Sequence, residues 1–410
     1  MIRTIRTDQL LPGMYVVNLS KGWLNHGFWR SRFMVKDAEM IRRIRAEGIE
    51  EVHIDTRRGR DLPDRMPLEG LNRNQLKPDG EKSIILPATA EPARPLAQVS
   101  VEEERRRAAL LLQGATSTVR ELMTEARRGN SVEAERMAPY IDKMIDSIAR
   151  NGDALVPLTR VKQRLYLYEH PVATAALMVA VALRQDMDRD LIYGLAMGSL
   201  LQDIGQAKLD ANLISRRGAL SPSELQLVQN HVEESLHLID AVPNLPDESR
   251  LVVQEHHERY DGSGYPHRLS GEQISLAGRL AAIVDSYDAM TSERPYRHAL
   301  SPALALRDLY QQGGNRMDLS LVQSLIRTLG IYPIGTLVRL ESNHLAVVLE
   351  QNSDDLLRPV VRVIYDINRS LYVSPVRMDL SRKTGNNFGG IVAIEEYRRW
   401  GILPTAFEPA

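Results

Sequence analysis

Between Leu155 and Leu329, apolar residues recur at three- and four-residue intervals over the stretches 155–164, 167–185, 188–202, 222–241, 248–258, 276–290, 302–312 and 319–329. That is the spacing of helices that each bury one face, and so many in succession call for an all-α bundle. Two helix starts are explicit: Ser221 with Pro222 and Glu224, and Ser301 with Pro302, each an N-cap hydroxyl before a proline at the first helical position. His170, Asp203, His231 and Asp285 lie on or beside these stretches, and His231 is expected well inside the 222–241 helix. A bundle lets such distant residues project into one interior, where a buried imidazole needs a partner.

The run Glu255-His256-His257-Glu258-Arg259-Tyr260-Asp261-Gly262-Ser263-Gly264-Tyr265-Pro266 sets two imidazoles beside carboxylates and then breaks the helix. A lone His-His pair is more often solvated surface than a site. Here it joins His170, Asp203, His231 and Asp285, and the whole is the ligand inventory for two divalent ions sharing a carboxylate. Adjacent helical residues point about 100° apart, so His256 and His257 can share an ion only if the helix ends there. The chain has no cysteine, which excludes disulfides and thiolate chemistry and leaves any metal to His and carboxylate ligands.

The pieces His170-Pro-Val-Ala, Leu200-Leu-Gln-Asp-Ile-Gly-Gln, Leu220-Ser-Pro-Ser-Glu, His231, the 255–266 run and Ala277 through Asp285 and Asp288 to Arg294-Pro-Tyr-Arg297 resemble the HD-GYP family of cyclic di-GMP phosphodiesterases, from roughly Tyr166 to Gly330. The resemblance implies two divalent ions (Fe, Mn, Ni or Zn) bridged by Asp203. His231, His256 and His257 would complete one site, and His170, Asp285 and the residue at position 202 the other. It also implies that Tyr265, Asp288, Arg294 and Arg297 hold the phosphates and bases of cyclic di-GMP, cleaved to linear pGpG, GMP or both. Where the family reads His-Asp-Ile-Gly-Lys, this chain reads Gln202-Asp203-Ile204-Gly205-Gln206. A neutral amide is a weaker ligand than imidazole, and losing even an outer partner costs ~10–100-fold in metal affinity or activity. Gln206 removes the lysine placed near the scissile phosphate, and one lost donor at a reacting centre costs ~10²–10³ in rate. A slow or silent enzyme is therefore expected. Tyr166 stands where some members carry a glutamate for a third ion, with Glu169 displaced from that position, so two ions at most are expected. The alternatives are a degenerate member acting as a cyclic di-GMP receptor or protein adaptor, and a mononucleotide phosphohydrolase of the wider HD superfamily, which the Gly-Tyr-Pro loop disfavours.

The rest of the chain reads as a multidomain, mainly α protein. Residues 1–61 form a small α+β module, with short apolar runs around Pro12-Gly13, helical spacing over Asp37–Glu47 and alternation over Glu51–Asp55. Through Leu10-Leu-Pro-Gly-Met-Tyr-Val-Val, Trp23 and Ile49 to Thr56 it resembles the domain of unknown function that commonly precedes HD-GYP domains. Trp23, His26, Phe28 and Trp29 read as packing residues. Residues 62–99 are a proline-rich linker, and 100–152 a helical hairpin, with Gly129 closing the first helix and Asn130 to Glu133 reading as a capping box for the second. The bundle spans 153–330. Residues 331–410 form a C-terminal antiparallel β subdomain from the runs 336–340, 345–349, 360–364 and 371–373, read as a cap on the bundle.

A formal charge of -1, from 52 basic and 53 acidic residues, gives no electrostatic case for DNA or RNA. No run approaches the roughly 18 uninterrupted apolar residues of a membrane span. A cytoplasmic protein off the membrane is expected, with cyclic di-GMP as ligand, a homodimer through the helical hairpin, and a diguanylate cyclase as partner through the Gly-Tyr-Pro loop.

Overall fold

Short strands with alternating burial build the N-terminal part, and helices with buried stripes build most of the rest. The computed structural model describes residues 2–7, 10–19, 33–35, 38–46, 51–56, 59, 100–160, 165–210, 213, 216, 218, 220–293, 298–352, 355–382 and 387–402. The chain divides into two units, Met1–Arg94 and Pro95–Ala410. In the first, β1 (Ile2–Arg6), β2 (Tyr15–Leu19), β3 (Phe33–Met34) and β4 (Glu51–Asp55) form an antiparallel sheet in the order β1-β4-β2-β3. Helix α1 (Ala38–Ala46) buries Ile41 and Ile44 in one cluster with Val16, Val52 and Ile54. The Trp23 to Trp29 aromatic group and the 62–99 linker lie outside the described residues.

The second unit starts with α2 (Val101–Arg128), whose first turn is capped by Ser100 Oγ accepting from the Glu103 amide at 3.2 Å. Gly129 ends it at φ 83°, a left-handed conformation that glycine adopts without a Cβ penalty. The capping box expected at Asn130 to Glu133 does not form. Glu133 makes no side-chain cap, the Asn130 amide turns back to Glu125, and a 3₁₀ turn, Ala134–Met137, precedes α3 (Ala138–Arg150). The apolar stripe of α2 (Ala108, Leu111, Ala115, Val119, Leu122) joins the cluster that contains the bundle core. The helix expected over 155–164 instead runs Gly152–Leu158 (α4), because Asn151 Oδ1 accepts from the Asp153 amide at 3.1 Å and starts it early.

Helix α5 (Tyr166–Arg184) is buried at every residue from His170 to Ala182. By length and composition it could cross a membrane, but 72% of its apolar window is buried within the protein, as in the core helix of a bundle. Helix α6 (Arg189–Leu201) packs on it. The expected 222–241 helix is two helices, α7 (Pro222–Gln229) and α8 (His231–Ile239), so His231 opens a helix rather than lying inside one. At the break the Val228 carbonyl is taken by the Asn230 amide and by the His231 ring, Nδ1 at 2.7 Å. The Ser221 start does form its capping box. Helices α9 (Asp247–Glu255), α10 (Leu276–Thr291), α11 (Pro302–Gln312) and α12 (Leu319–Leu329) complete the bundle.

The C-terminal sheet has five antiparallel strands, β5 (Leu337–Leu340), β6 (His344–Glu350), β7 (Val360–Asp366), β8 (Leu371–Asp379) and β9 (Ile391–Glu395), in the order β8-β7-β6-β5-β9. Strand β9 was not expected from the sequence. It is a short run that reaches back to pair with β5, and such long-range pairing has no local signature.

One ion pair ties α2 to α3. Glu104 has no exposed surface and accepts from Arg150 Nε and Nη2, both at 2.8 Å. Glu104→Ala leaves that guanidinium without its partner and should cost about 3 kcal/mol, read as a lower urea midpoint at unchanged slope. A loss within about 0.5 kcal/mol, the range of surface substitutions, would contradict this account.

Candidate metal centre

The centre begins where α6 stops. Gln202 follows the last turn of α6, and Asp203 leads into a 3₁₀ segment, Ile204–Lys208. A Cβ on Gly205 would lie 2.2 Å from the His231 carbonyl oxygen and 2.5 Å from the Ser235 amide, so only glycine lets this segment lie against α8. Ser235 Oγ locks the contact, donating to the Gln202 carbonyl at 2.9 Å and accepting from the Gly205 amide at 2.8 Å. Asp203 is thereby set opposite His231.

The two carboxylate oxygens of Asp203 face different groups. Oδ1 lies 3.3 Å from His231 Nε2, and Oδ2 lies 3.5 Å from His170 Nε2. Asp203, His231, His256 and His257 offer donor atoms all within 4.8 Å of one another, and so do His170, Asp203 and Asp285. Six expected residues from four helices and the turn after α6 thus meet, with Asp203 common to both groups. Helix α9 ends at Glu255, as sharing by His256 and His257 requires, and the two ring centroids are 4.1 Å apart.

The rings are oriented by backbone. His231 Nδ1 faces the Val228 carbonyl at 2.7 Å, and His256 Nδ1 faces the Val253 carbonyl at 2.9 Å. A neutral ring donating from Nδ1 turns its lone pair out at Nε2, and these two Nε2 atoms oppose each other at 3.3 Å. Two ring nitrogens this close suit one shared cation, a metal ion or a proton. Burial lowers the pKa of His256 and lowers that of His257 further, keeping both rings in the neutral form that ligates metals.

His170 is surrounded by carboxylates. Its Nε2 lies 2.9 Å from Asp285 Oδ1, and its Nδ1 lies 2.6 Å from Asp288 Oδ2. Burial opposes a charge on this ring, but the hydrogen bonds to Asp285 and Asp288 outweigh it and raise its pKa to about 9. Burial likewise opposes the Asp285 charge, and its hydrogen bond to His170 holds the carboxyl well below the usual range all the same. The cluster therefore demands positive charge. Gln202 is fully buried beside it: Nε2 donates to Asp285 Oδ1 at 3.3 Å, and Oε1 has no partner among the described residues. An orphan buried acceptor costs about 1–3 kcal/mol, which a cation would offset. The Gln206 amide donates to Asp203 Oδ1. Imidazole nitrogens, carboxylate oxygens and one unpaired amide oxygen fit a borderline divalent ion.

The surrounding residues divide. The Tyr265 ring stacks on His257, centroids 4.6 Å apart, and its amide donates to the His257 carbonyl at 3.2 Å. Asp288, expected to face a dinucleotide, is 2% exposed and bonds the back of His170, because one helical turn beyond Asp285 points it at the same ring. Tyr166 stacks on His170 at 4.9 Å, and Glu169 accepts from the Leu165 amide at the start of α5. Arg294 and Arg297 lie outside the described residues.

Three positioning residues escaped the sequence reading. Glu258 accepts from the amides of His267 (2.7 Å) and Leu269 (3.1 Å), tying the loop after Pro266 under the histidine pair. Glu255 accepts from Ser275 N (2.8 Å) and Oγ (2.6 Å), fixing the start of α10. Ser235 is the third. The two glutamates flank the histidines in sequence, but nothing there shows which backbone amides need them.

Comparisons with known proteins give the chain's relatives. Family models match an HD domain over residues 143–321 and a domain of unknown function, DUF3391, over residues 2–137. A cyclic di-GMP phosphodiesterase of Pseudomonas aeruginosa is 34% identical over 407 residues, covering 98% of this chain and 94% of that one. A cyclic di-GMP phosphodiesterase response regulator of Xanthomonas campestris is 33% identical over 148 residues, 36% of this chain and 39% of its own. A solved structure, an HDG"Y"P protein from Bdellovibrio bacteriovorus, aligns with TM-score 0.46 at 15% identity over 79% of this chain and 98% of that chain. Identity of 34% through nearly the whole length of both chains reflects common descent, and this chain belongs to the HD-GYP family of cyclic di-GMP phosphodiesterases.

Proposed function

We propose that this chain is a metal-dependent phosphodiesterase that hydrolyses cyclic di-GMP to linear pGpG, GMP or both, in bacterial second-messenger signalling in the cytoplasm. The observation that carries this reading is the Asp203 carboxylate, turned with one oxygen to the His231 group and the other to the His170 group. His231, His256 and His257 would hold one divalent ion; His170, Asp285 and Gln202 Oε1 would hold a second. Fe, Mn, Ni or Zn suits these donors, and such ions supply Lewis acidity toward a phosphodiester and an attacking water.

The chain's own residues prepare that chemistry. Asp203 carries the charge shared by both groups, and Gln206 restrains it by donating to Oδ1. Asp288 fixes the His170 ring through Nδ1. Tyr265 covers one face of His257, and we assign to it, with Arg294 and Arg297, the binding of the dinucleotide. We assign a homodimer contact to the helical hairpin and a diguanylate cyclase contact to the Gly-Tyr-Pro loop. Turnover should be slow: Gln202 keeps the contact with Asp285 but offers a neutral oxygen in place of an imidazole nitrogen. A cyclic di-GMP receptor without turnover is the second reading, favoured by the same glutamine.

Asp203→Ala is expected to abolish both bound metal and conversion of cyclic di-GMP incubated with Mn²⁺ or Fe²⁺, followed by chromatography and elemental analysis of one sample. Equal turnover in wild type and variant would sink the hydrolase assignment. Unchanged cyclic di-GMP over metal-loaded wild type would move the reading to the receptor. Gln202→His with Gln206→Lys should tighten metal binding by ~10–100-fold and raise the cleavage rate by ~10²–10³. No gain in either quantity would mean that these two positions do not limit the enzyme.

A further inference from the structure

Behind the metal centre lies a second cavity of about 670 Å³, bounded by the α3–α4 junction, α5, α10, α12 and the segments around Ile334 and Gln351. Its size falls in the range of small-ligand pockets, ~300–1,000 Å³. His170, Gln202, Asp203, His231, His256, His257 and Asp285 do not line it. Asp288 does, and its Oδ2 also bonds His170 Nδ1, so the two spaces share Asp288 as a wall.

Among the described residues, four arginines line the cavity against two aspartates. Arg150 is committed to Glu104, and Arg160 donates to the Ile334 carbonyl. Arg184 and Arg327 have no carboxylate partner among the described residues; Arg327 Nε donates to the Gln323 carbonyl of its own helix. Burial, and after it the charge of Arg184, push the Arg327 guanidinium below its usual pKa. On the same helix as Arg184, Leu177, Ala180 and Leu183 supply apolar wall. Gln351, also in the lining, has a buried Oε1 with no hydrogen-bond partner among the described residues, while its Nε2 donates to the Tyr332 carbonyl at 2.7 Å. An ideal Cβ on Gly330 would fall 1.9 Å from that Oε1, so the amide is pinned against the glycine.

We propose that this cavity is a second binding site, separate from the metal centre, for a compact organic phosphate of mononucleotide size. Two uncompensated guanidiniums match a dianionic phosphate, which arginine forks bind well. The apolar wall takes the organic body. Neither half of such a ligand alone satisfies the lining.

The test is calorimetric titration of the full-length Asp203→Ala chain, with EDTA present so that the metal centre cannot contribute, using GMP, phenyl phosphate and inorganic phosphate. GMP or phenyl phosphate should saturate a single site, with inorganic phosphate at least tenfold weaker. Arg184→Gln should weaken the organic phosphate about tenfold or more, since a hydrogen bond to a charged group is worth roughly 1.5–3 kcal/mol. Arg184 is exposed, so this variant keeps the core intact, and Arg327→Gln should act in the same direction. Absence of saturable binding by both GMP and phenyl phosphate would overturn the proposal, and so would binding that Arg184→Gln leaves unchanged.

Discussion

The structure turns on one buried carboxylate. Asp203 is set between His231 and His170, and a charge so placed survives in a protein interior only if cations or donors surround it. Its position is decided by packing rather than by its own helix. Gly205 lets the 3₁₀ segment reach α8, and Ser235 clamps the Gln202 carbonyl and the Gly205 amide on either side of the aspartate. If that contact were displaced by the width of a methyl group, the two donor groups would lose their common member.

Around this aspartate the protein holds histidines in one orientation by spending backbone carbonyls on them. Val228 and Val253 each face an imidazole Nδ1, and each carbonyl sits where a helix is interrupted or ends. Helix termini leave carbonyls without intrahelical partners, so breaks at Asn230 and after Glu255 serve two purposes. They free acceptors for the rings, and they let His256 and His257 turn toward the same space. Glu255 and Glu258 then use their carboxylates on the loop that follows, not on the centre.

The glutamine at position 202 fits this scheme in part. Its amide nitrogen preserves a contact with Asp285, so the cluster keeps its shape, and its oxygen is left buried and unpaired. The His and Asp donors around it remain grouped.

Much of this was legible in the sequence, and the limits follow from distance along the chain. Helical spacing located the bundle, Ser221-Pro222 and Gly129 marked helix ends, and the His and Asp residues announced their donor chemistry, because those signals are set by residues within a turn or two of each other. Local pattern failed where a partner lay far away. It joined α7 to α8 across Asn230, omitted β9, whose partner β5 lies some fifty residues earlier, and gave no sign that Asp288 bonds His170. Sequence by itself determined which side chains could bind a metal and which segments would be helices. Only the tertiary structure decided which donors meet, which carboxylates serve backbone instead, and which cations are left unpaired, because a side chain's direction is fixed relative to its own helix while its partner depends on how whole helices pack.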